Sequence, residues 1–203
     1  MGFWHWDTRE ETAFVRHVSY LTANDLPMMR LLTACLFCLL ASPLAAQSTL
    51  PAPWIGDWQG DLTIYGPDGP TVQVVMQLQI RPTDSLHRYD WTIVYVSPDS
   101  SRPADRRLYE LIGQRDQPGH FVMDEKNSIL LDAYLFDETL SSFFRVNETM
   151  LLANYTYLGG DSLRVEMFAI STEGSRLSGE AADVEVEAYR STTYHQALLR
   201  RQE

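Results

Sequence analysis

From Asp57 onward the chain alternates. Trp58, Gly60, Leu62 and Ile64 fall on one face, and Asp57, Gln59, Asp61 and Thr63 on the other. Period two is the signature of a strand that buries one side. Gly66-Pro67-Asp68-Gly69-Pro70 reads as a turn, after which Val72, Val74, Met76, Leu78 and Ile80 alternate with Gln73, Gln77, Gln79 and Arg81. The pattern continues through 88–96, 106–114, 120–124, 128–135, 140–146, 150–158 and 163–170. The links between these runs are Gly-, Pro-, Asn- and Asp-rich, and Gly159-Gly160-Asp161 is a strong hairpin turn. None is long enough to hold a crossover helix, which excludes a parallel α/β layout and leaves an antiparallel meander.

A meander of about eight to ten strands exposes two edges unless it closes, and closure gives an up-and-down β-barrel whose interior is either filled by side chains or holds one small ligand. The expected fold is therefore all-β. The stretch 171–183 is polar and glycine-bearing, and reads as a loop. The end of the chain is open between a closing strand pair (Val184–Tyr189, Tyr194–Leu199) and a short helix around Tyr194–Arg201, with strand favoured through most of it.

The barrel is expected to occupy 47–203. Upstream, Met28-Met29-Arg30 makes a positive start, Leu31 to Ala41 an apolar run too short to span a bilayer, and Leu44-Ala45-Ala46 a small-residue site with cleavage after Ala46. Residues 28–46 thus read as a signal peptide, and the destination as periplasmic or extracellular. Residues 1–27 carry Asp7, Glu10, Glu11 and Asp25, unlike a signal start, and read as a misassigned extension. The only cysteines, Cys35 and Cys38, lie in the apolar run, where neither a redox motif nor lipidation of Cys35 fits well: a lipobox should close that run, and here it continues. Without residues 1–46 the chain loses three arginines and four acids, so its net charge is −10 instead of −11. That balance argues against nucleic acid and anionic membranes as partners, and the mature chain has no membrane span.

Gly56-Asp57-Trp58 at the start of the first strand, after Pro51 to Ile55, resembles the opening of the lipocalins and the wider calycin group. The resemblance implies a short 3₁₀ turn before the strand and a barrel floor in which Trp58, beside Gly56, packs against an arginine from the last strand, Arg200 or Arg190. Trp58-Gln59-Gly60 is also similar to the opening of nitrobindin-type haem barrels, which would need a proximal histidine. His87 falls in a turn, His120 starts a strand beside Pro118-Gly119, and His195 lies late in the chain; lone histidines of this kind are more often surface or satisfied residues than axial ligands. No cofactor is expected. Asp124-Glu125-Lys126-Asn127-Ser128-Ile129 and Arg88 to Ile93 look like segments of secreted bacterial proteins and imply no activity.

There is no Gly-x-Ser-x-Gly, His-Glu-x-x-His or phosphate loop. Asp124-Glu125 and Asp137-Glu138 are adjacent, so on a strand each pair points to opposite faces; Glu185 and Glu187 share a face, but an acidic terminal strand is normally solvated. A calcium site over Asp124–Asp132 would need converging oxygens, and turn chemistry explains those residues as well. No catalytic residue and no metal ligand is expected.

Several strands are apolar on both faces, as in Tyr89 to Val96, Met150 to Tyr157 and Leu163 to Ile170. A barrel buries one face, so the second set must cover a partner or a packed segment. Glu110, Arg145, Asn154 and Glu166 interrupt these strands and would need partners if they point inward. The expected ligand site is an aromatic pocket of Trp91, Tyr95, Phe144 and Tyr155, with Arg145 paired to Glu166 or Glu110. The leading expectation is an exported barrel holding a small, largely apolar molecule. The alternatives are a filled barrel serving as a structural or protein-interaction module and, further off, a haem barrel or an enzyme using a carboxylate at the barrel mouth.

Overall fold

Ten strands close on themselves in chain order. The computed structural model describes residues 47–99 and 103–203. After a 3₁₀ turn at Ala52–Trp54 come β1 (Gly56–Gly66), β2 (Gly69–Pro82), β3 (Arg88–Val96), β4 (Asp105–Gly113) and β5 (His120–Asp124). They are followed by β6 (Leu130–Phe136), β7 (Thr139–Val146), β8 (Thr149–Tyr157), β9 (Ser162–Ser178) and β10 (Val186–Arg201). Each strand pairs antiparallel with its neighbour, and β10 returns to β1 with Trp58 opposite Arg201, Leu62 opposite Ala197 and Tyr65 opposite Tyr194. The all-β, up-and-down barrel expected from the alternation is the fold observed. The extension at 1–27, the leader at 28–46 and Cys35 lie outside the described residues. Among the described residues no helix is long and apolar enough to cross a membrane.

The hairpins are held by residues that tolerate left-handed backbone. Asp137 and Asn147 both sit at φ 51°, and Gly159 and Gly160 at φ 86° and 56°. Asn and Asp reach this region more easily than other side chains because their short polar groups bond locally.

Large side chains fill one end of the barrel. Trp54, Leu78, Ile80, Trp91, Leu111, Phe121, Leu163 and Leu199 are wholly buried, and Trp58 nearly so. Burying side chains of this size stabilises by about 1.5–3 kcal/mol each. The segment before β1 crosses this end as a plug. Ser48 N–H donates to the Gln114 carbonyl (2.8 Å), Leu50 N–H to the Tyr89 hydroxyl (3.1 Å), and Trp58 Nε1 to the Trp54 carbonyl (3.0 Å). At Gly113 the plug runs so close that an added Cβ would strike the Ser48 carbonyl oxygen.

The arginine at the floor is Arg201, not Arg200 or Arg190. Its guanidinium lies 4.1 Å from the Trp58 ring centroid and donates to the carbonyls of Ile55 (2.7 Å) and Pro53 (2.6 Å), while Nε donates to Asp161 (3.2 Å). Parity explains the correction. Ala197 and Leu199 are buried, and Arg201 shares their face, whereas Arg200 points outward to the Ser162 hydroxyl. Arg190 pairs with Ser171 at the other end of β10. Gly56 has φ 147°, and a Cβ there would overlap the Arg201 guanidinium, so glycine makes room for the arginine.

Two further differences from the expected layout concern β9 and β10. The stretch 171–183 is not a loop through its first half: β9 runs on to Ser178, and β10 is one strand back to Arg201. Beyond Ser171, the last β9 residue paired with β8, and before Tyr194, where pairing with β1 ends, the two strands pair only with each other. They form a two-stranded arm in water on both faces, so no face imposes alternation on the sequence. On the outer wall, Tyr65, Tyr194, Phe168, Leu152 and Phe143 occupy paired positions on five adjacent strands, β1, β10, β9, β8 and β7. Tyr194 stacks with Tyr65 (6.0 Å) and Phe168 (4.6 Å), and Phe143 is 62% exposed. This row is the second apolar face that the sequence carries.

Replacing Arg201 with methionine should lower stability by about 2 kcal/mol or more, since a desolvated cation–π contact and two charge-assisted hydrogen bonds go together. Arg200→Met should stay within about 0.5 kcal/mol of wild type. Urea unfolding of the two variants checks this; equal effects would disprove the assignment of Arg201 to the floor.

Candidate functional site

The interior is full at the plugged end and hollow at the other. A cavity of about 290 Å³ is lined by Trp91, Ile93 and Tyr95 of β3, Arg107 and Tyr109 of β4, Met123 of β5 and Glu125 just after it. Leu131 and Ala133 of β6, Leu140, Ser142, Phe144 and Val146 of β7, Leu151, Ala153 and Tyr155 of β8, and Met167 of β9 complete it. Its rim is set by Tyr95, Arg107, Glu125 and Val146, which stand at the strand ends away from the plug. The void has a local cause: Ala133, Ser142 and Ala153 are small residues at inward positions, where the plugged end has Trp, Phe and Leu.

The lining divides by chemistry. Apart from Ile93 of β3, the aliphatic and thioether side chains come from β5 to β9. Most hydrogen-bond donors come from β3, β4 and β8; the Ser142 hydroxyl of β7 is spent on the Asp132 carbonyl (2.7 Å). Trp91 and Tyr155 meet across the lumen edge to face, with centroids 5.0 Å apart. The Trp91 indole nitrogen is buried without a well-formed hydrogen bond, and the Tyr155 hydroxyl is the oxygen that feels it. The partial exposure of Tyr155 is exposure to the cavity. Burial pushes its hydroxyl pKa far up, with the nearby Tyr95 and Tyr109 adding to the rise and Arg107 opposing it. Burial also raises Tyr95 and Tyr109. Arg107 lies 5.2 Å from the Tyr95 ring centroid and donates from Nε and Nη2 to Asp105 Oδ2 at 3.1 and 2.9 Å. Burial alone would lower its pKa; the Asp105 hydrogen bond and the Tyr95 hydroxyl outweigh that and raise it, so it stays charged.

Four of the residues expected at the ligand site, Trp91, Tyr95, Phe144 and Tyr155, line this cavity together. Glu110, Arg145 and Glu166 do not. Glu110 pairs on the outer wall with Arg88 (2.9 Å) and Lys126 (3.0 Å). Glu166 accepts from the Tyr194 hydroxyl (2.7 Å) and sits 3.1 Å from Arg164 Nε, at an angle too poor for a hydrogen bond. Arg145 is exposed. The expected pairing of Arg145 with Glu166 or Glu110 is therefore not formed. The reason is again parity: Tyr109, Phe144 and Val165 face inward, so their chain neighbours face out. The residues that sequence reasoning missed are Arg107 and Tyr109. The usable signal was their shared parity with Leu111, which is wholly buried.

Among the described residues no histidine lines the cavity. His87 Nδ1 is 2.8 Å from the Thr49 hydroxyl, and His195 stands on β10 with its pKa lowered by burial. His120 lies between two carboxylates, with Nδ1 2.7 Å from Asp116 and Nε2 2.9 Å from Asp132, and stacks on Tyr134 at 4.7 Å. Of the carboxylates weighed as pairs, Asp124 accepts from the Lys126 backbone N–H (2.8 Å) as turn chemistry, and Glu187 binds Ser175 and Tyr189 on the arm. Among the described residues no group of three or more His, Cys, Asp or Glu side chains is placed to hold a metal ion.

No family model matches the chain, and no curated protein matches it in sequence. Solved structures do match. One is the S-type phycobiliprotein lyase CPES from Guillardia theta, at TM-score 0.53 and 8% identity, covering 73% of this chain and 88% of that one. Another is a protein of unknown function of the DUF3598 family from Nostoc punctiforme, at TM-score 0.51 and 11% identity, covering 80% of this chain. The match spans about half of that longer chain, 53%. At such identities the likeness shows the fold alone. What the chain shares with them is the closed antiparallel β-barrel.

The paired carboxylates give His120 a testable signature. Burial opposes its charge, but the hydrogen bonds to Asp116 and Asp132 win, and its pKa is raised. A raised folded pKa adds stability that is complete below the unfolded value of about 6.5 and is lost as pH rises through the folded value. Thermal unfolding followed by circular dichroism should therefore show a fall in Tm from pH 6 to pH 8.5 that His120→Gln flattens; an unchanged slope in the variant would refute it.

Proposed function

We propose that this chain is an exported binding protein that holds one small, largely apolar molecule inside its barrel. The observation that carries the reading is the cavity of about 290 Å³, open at the end opposite the plug, with a mostly apolar lining and a few polar groups on one side. That is the usual make-up of a small-molecule site, at the small end of the range. Met123 and Met167 suit it, since thioether side chains repack around different shapes. The fold shared with a phycobiliprotein lyase is compatible with this reading and adds no ligand identity. Export rests on the signal-peptide pattern of 28–46.

A second reading, a module that docks another protein, is favoured by the outer aromatic row from Tyr65 to Phe143. The two readings use opposite faces of the same strands and are separable by mutation.

The neutral fluorophore 1-aminoanthracene should bind with a blue-shifted emission. Ala153→Phe, which fills the cavity from β8, should weaken that binding at least tenfold while the circular dichroism spectrum is kept. Equal affinity in the variant would sink interior binding. Intact mass of the protein recovered from its own host's envelope should correspond to a chain starting at Gln47; a mass that retains 28–46 would refute cleavage after Ala46.

A further inference from the structure

The polar side of the cavity has a surplus of donors. Tyr95, Tyr109 and Tyr155 each carry a hydroxyl that can give one hydrogen bond and accept others. The Arg107 guanidinium lies beside the Tyr109 hydroxyl, and the Trp91 indole N–H faces the Tyr155 hydroxyl. Neither neighbour can accept a hydrogen bond, so neither phenol spends its own hydrogen on it. Among the described residues no protein oxygen accepts a hydrogen bond from these three hydroxyls. Arg107 adds a permanent positive charge, of which Asp105 uses Nε and Nη2 and leaves Nη1. Burial keeps the phenols protonated, and hence donors, at neutral pH. Donors gathered in a partly desolvated space are satisfied best by an oxyanion, and charge-assisted hydrogen bonds are the strong ones.

We propose that the cavity takes a small apolar monocarboxylate, its carboxylate held by Arg107 with the hydroxyls of Tyr95 and Tyr109, and its hydrocarbon on Met123, Leu140 and Met167. The inference rests on the interior-binding reading above and adds the chemical class of the ligand. Placing the headgroup by Arg107 sets it at the rim, where water still reaches, which reduces the cost of desolvating the charge. Asp105, already paired with Arg107, and Glu125 stand at the same rim and repel each negative charge brought there, so a dicarboxylate is disfavoured over a monocarboxylate. The cavity volume excludes large amphiphiles.

The test is displacement of bound 1-aminoanthracene by decanoic acid and by 1-decanol at pH 7.5. Wild type should bind the acid at least tenfold more tightly than the alcohol. Arg107→Met should lose that preference and bind the alcohol as wild type does, which also shows that the variant folds. Should Arg107→Met not fold, Tyr109→Phe serves: severalfold weaker binding of the acid with the alcohol unchanged supports the inference, and no change for the acid overturns it. Equal binding of acid and alcohol by wild type, or a preference that survives in Arg107→Met, overturns the carboxylate assignment and leaves interior binding standing. Failure of the fluorophore and both displacers to bind overturns both.

Discussion

The contact of the Arg201 guanidinium with the Trp58 ring holds the two ends of the meander together. β1 and β10 are the strands whose edges would otherwise be free, and this pair lies across their seam. One cation reaches the indole face, two carbonyls of the plug and the Asp161 carboxylate. Closure, floor and plug therefore depend on the same side chain. The Arg201 side chain is half-buried, and each donor turned toward the protein finds an oxygen, so little of the desolvation cost is left unmatched.

The floor in turn decides where the hollow lies. With Trp54, Trp58, Leu50 and Phe121 packed at one end, the chain has buried enough apolar surface there to leave Ala133, Ser142 and Ala153 facing a void at the other. The asymmetry separates stability from recognition along the barrel axis. Changes at the rim touch residues such as Arg107 and Tyr95 that are not part of the tightly packed end.

Most of the fold was legible because nearly every strand buries one face and so alternates. Four things were hidden, each for a physical reason. Arg201 could not be told from Arg200, because register shifts between Ala188 and Arg190 and between Ser191 and Thr193 break any count of parity from upstream. The inward set of β4 was ambiguous because Leu108, 55% exposed, is as apolar as the buried Leu111. Glu110, Arg145 and Glu166 looked like interior polar groups for the same reason: their outward neighbours include Phe143, Phe168 and Ile170, which mimic a core. The β9 half of the arm, within 171–183, looks like a loop in sequence because neither of its faces is buried, whereas the β10 half keeps its strand character.

That arm has a consequence for how the molecule can be altered. Beyond Thr172, which bonds to the Glu148 carbonyl at the base of the arm, its strand pairing is internal to the hairpin, and its turn, Gly179 to Glu185, takes part in no other strand pairing. Chain inserted at that turn adds only the entropy of a longer loop, which grows slowly with length. The barrel thus comes with a natural splice point, where a foreign segment can be displayed while the floor, the seam and the cavity keep their registers.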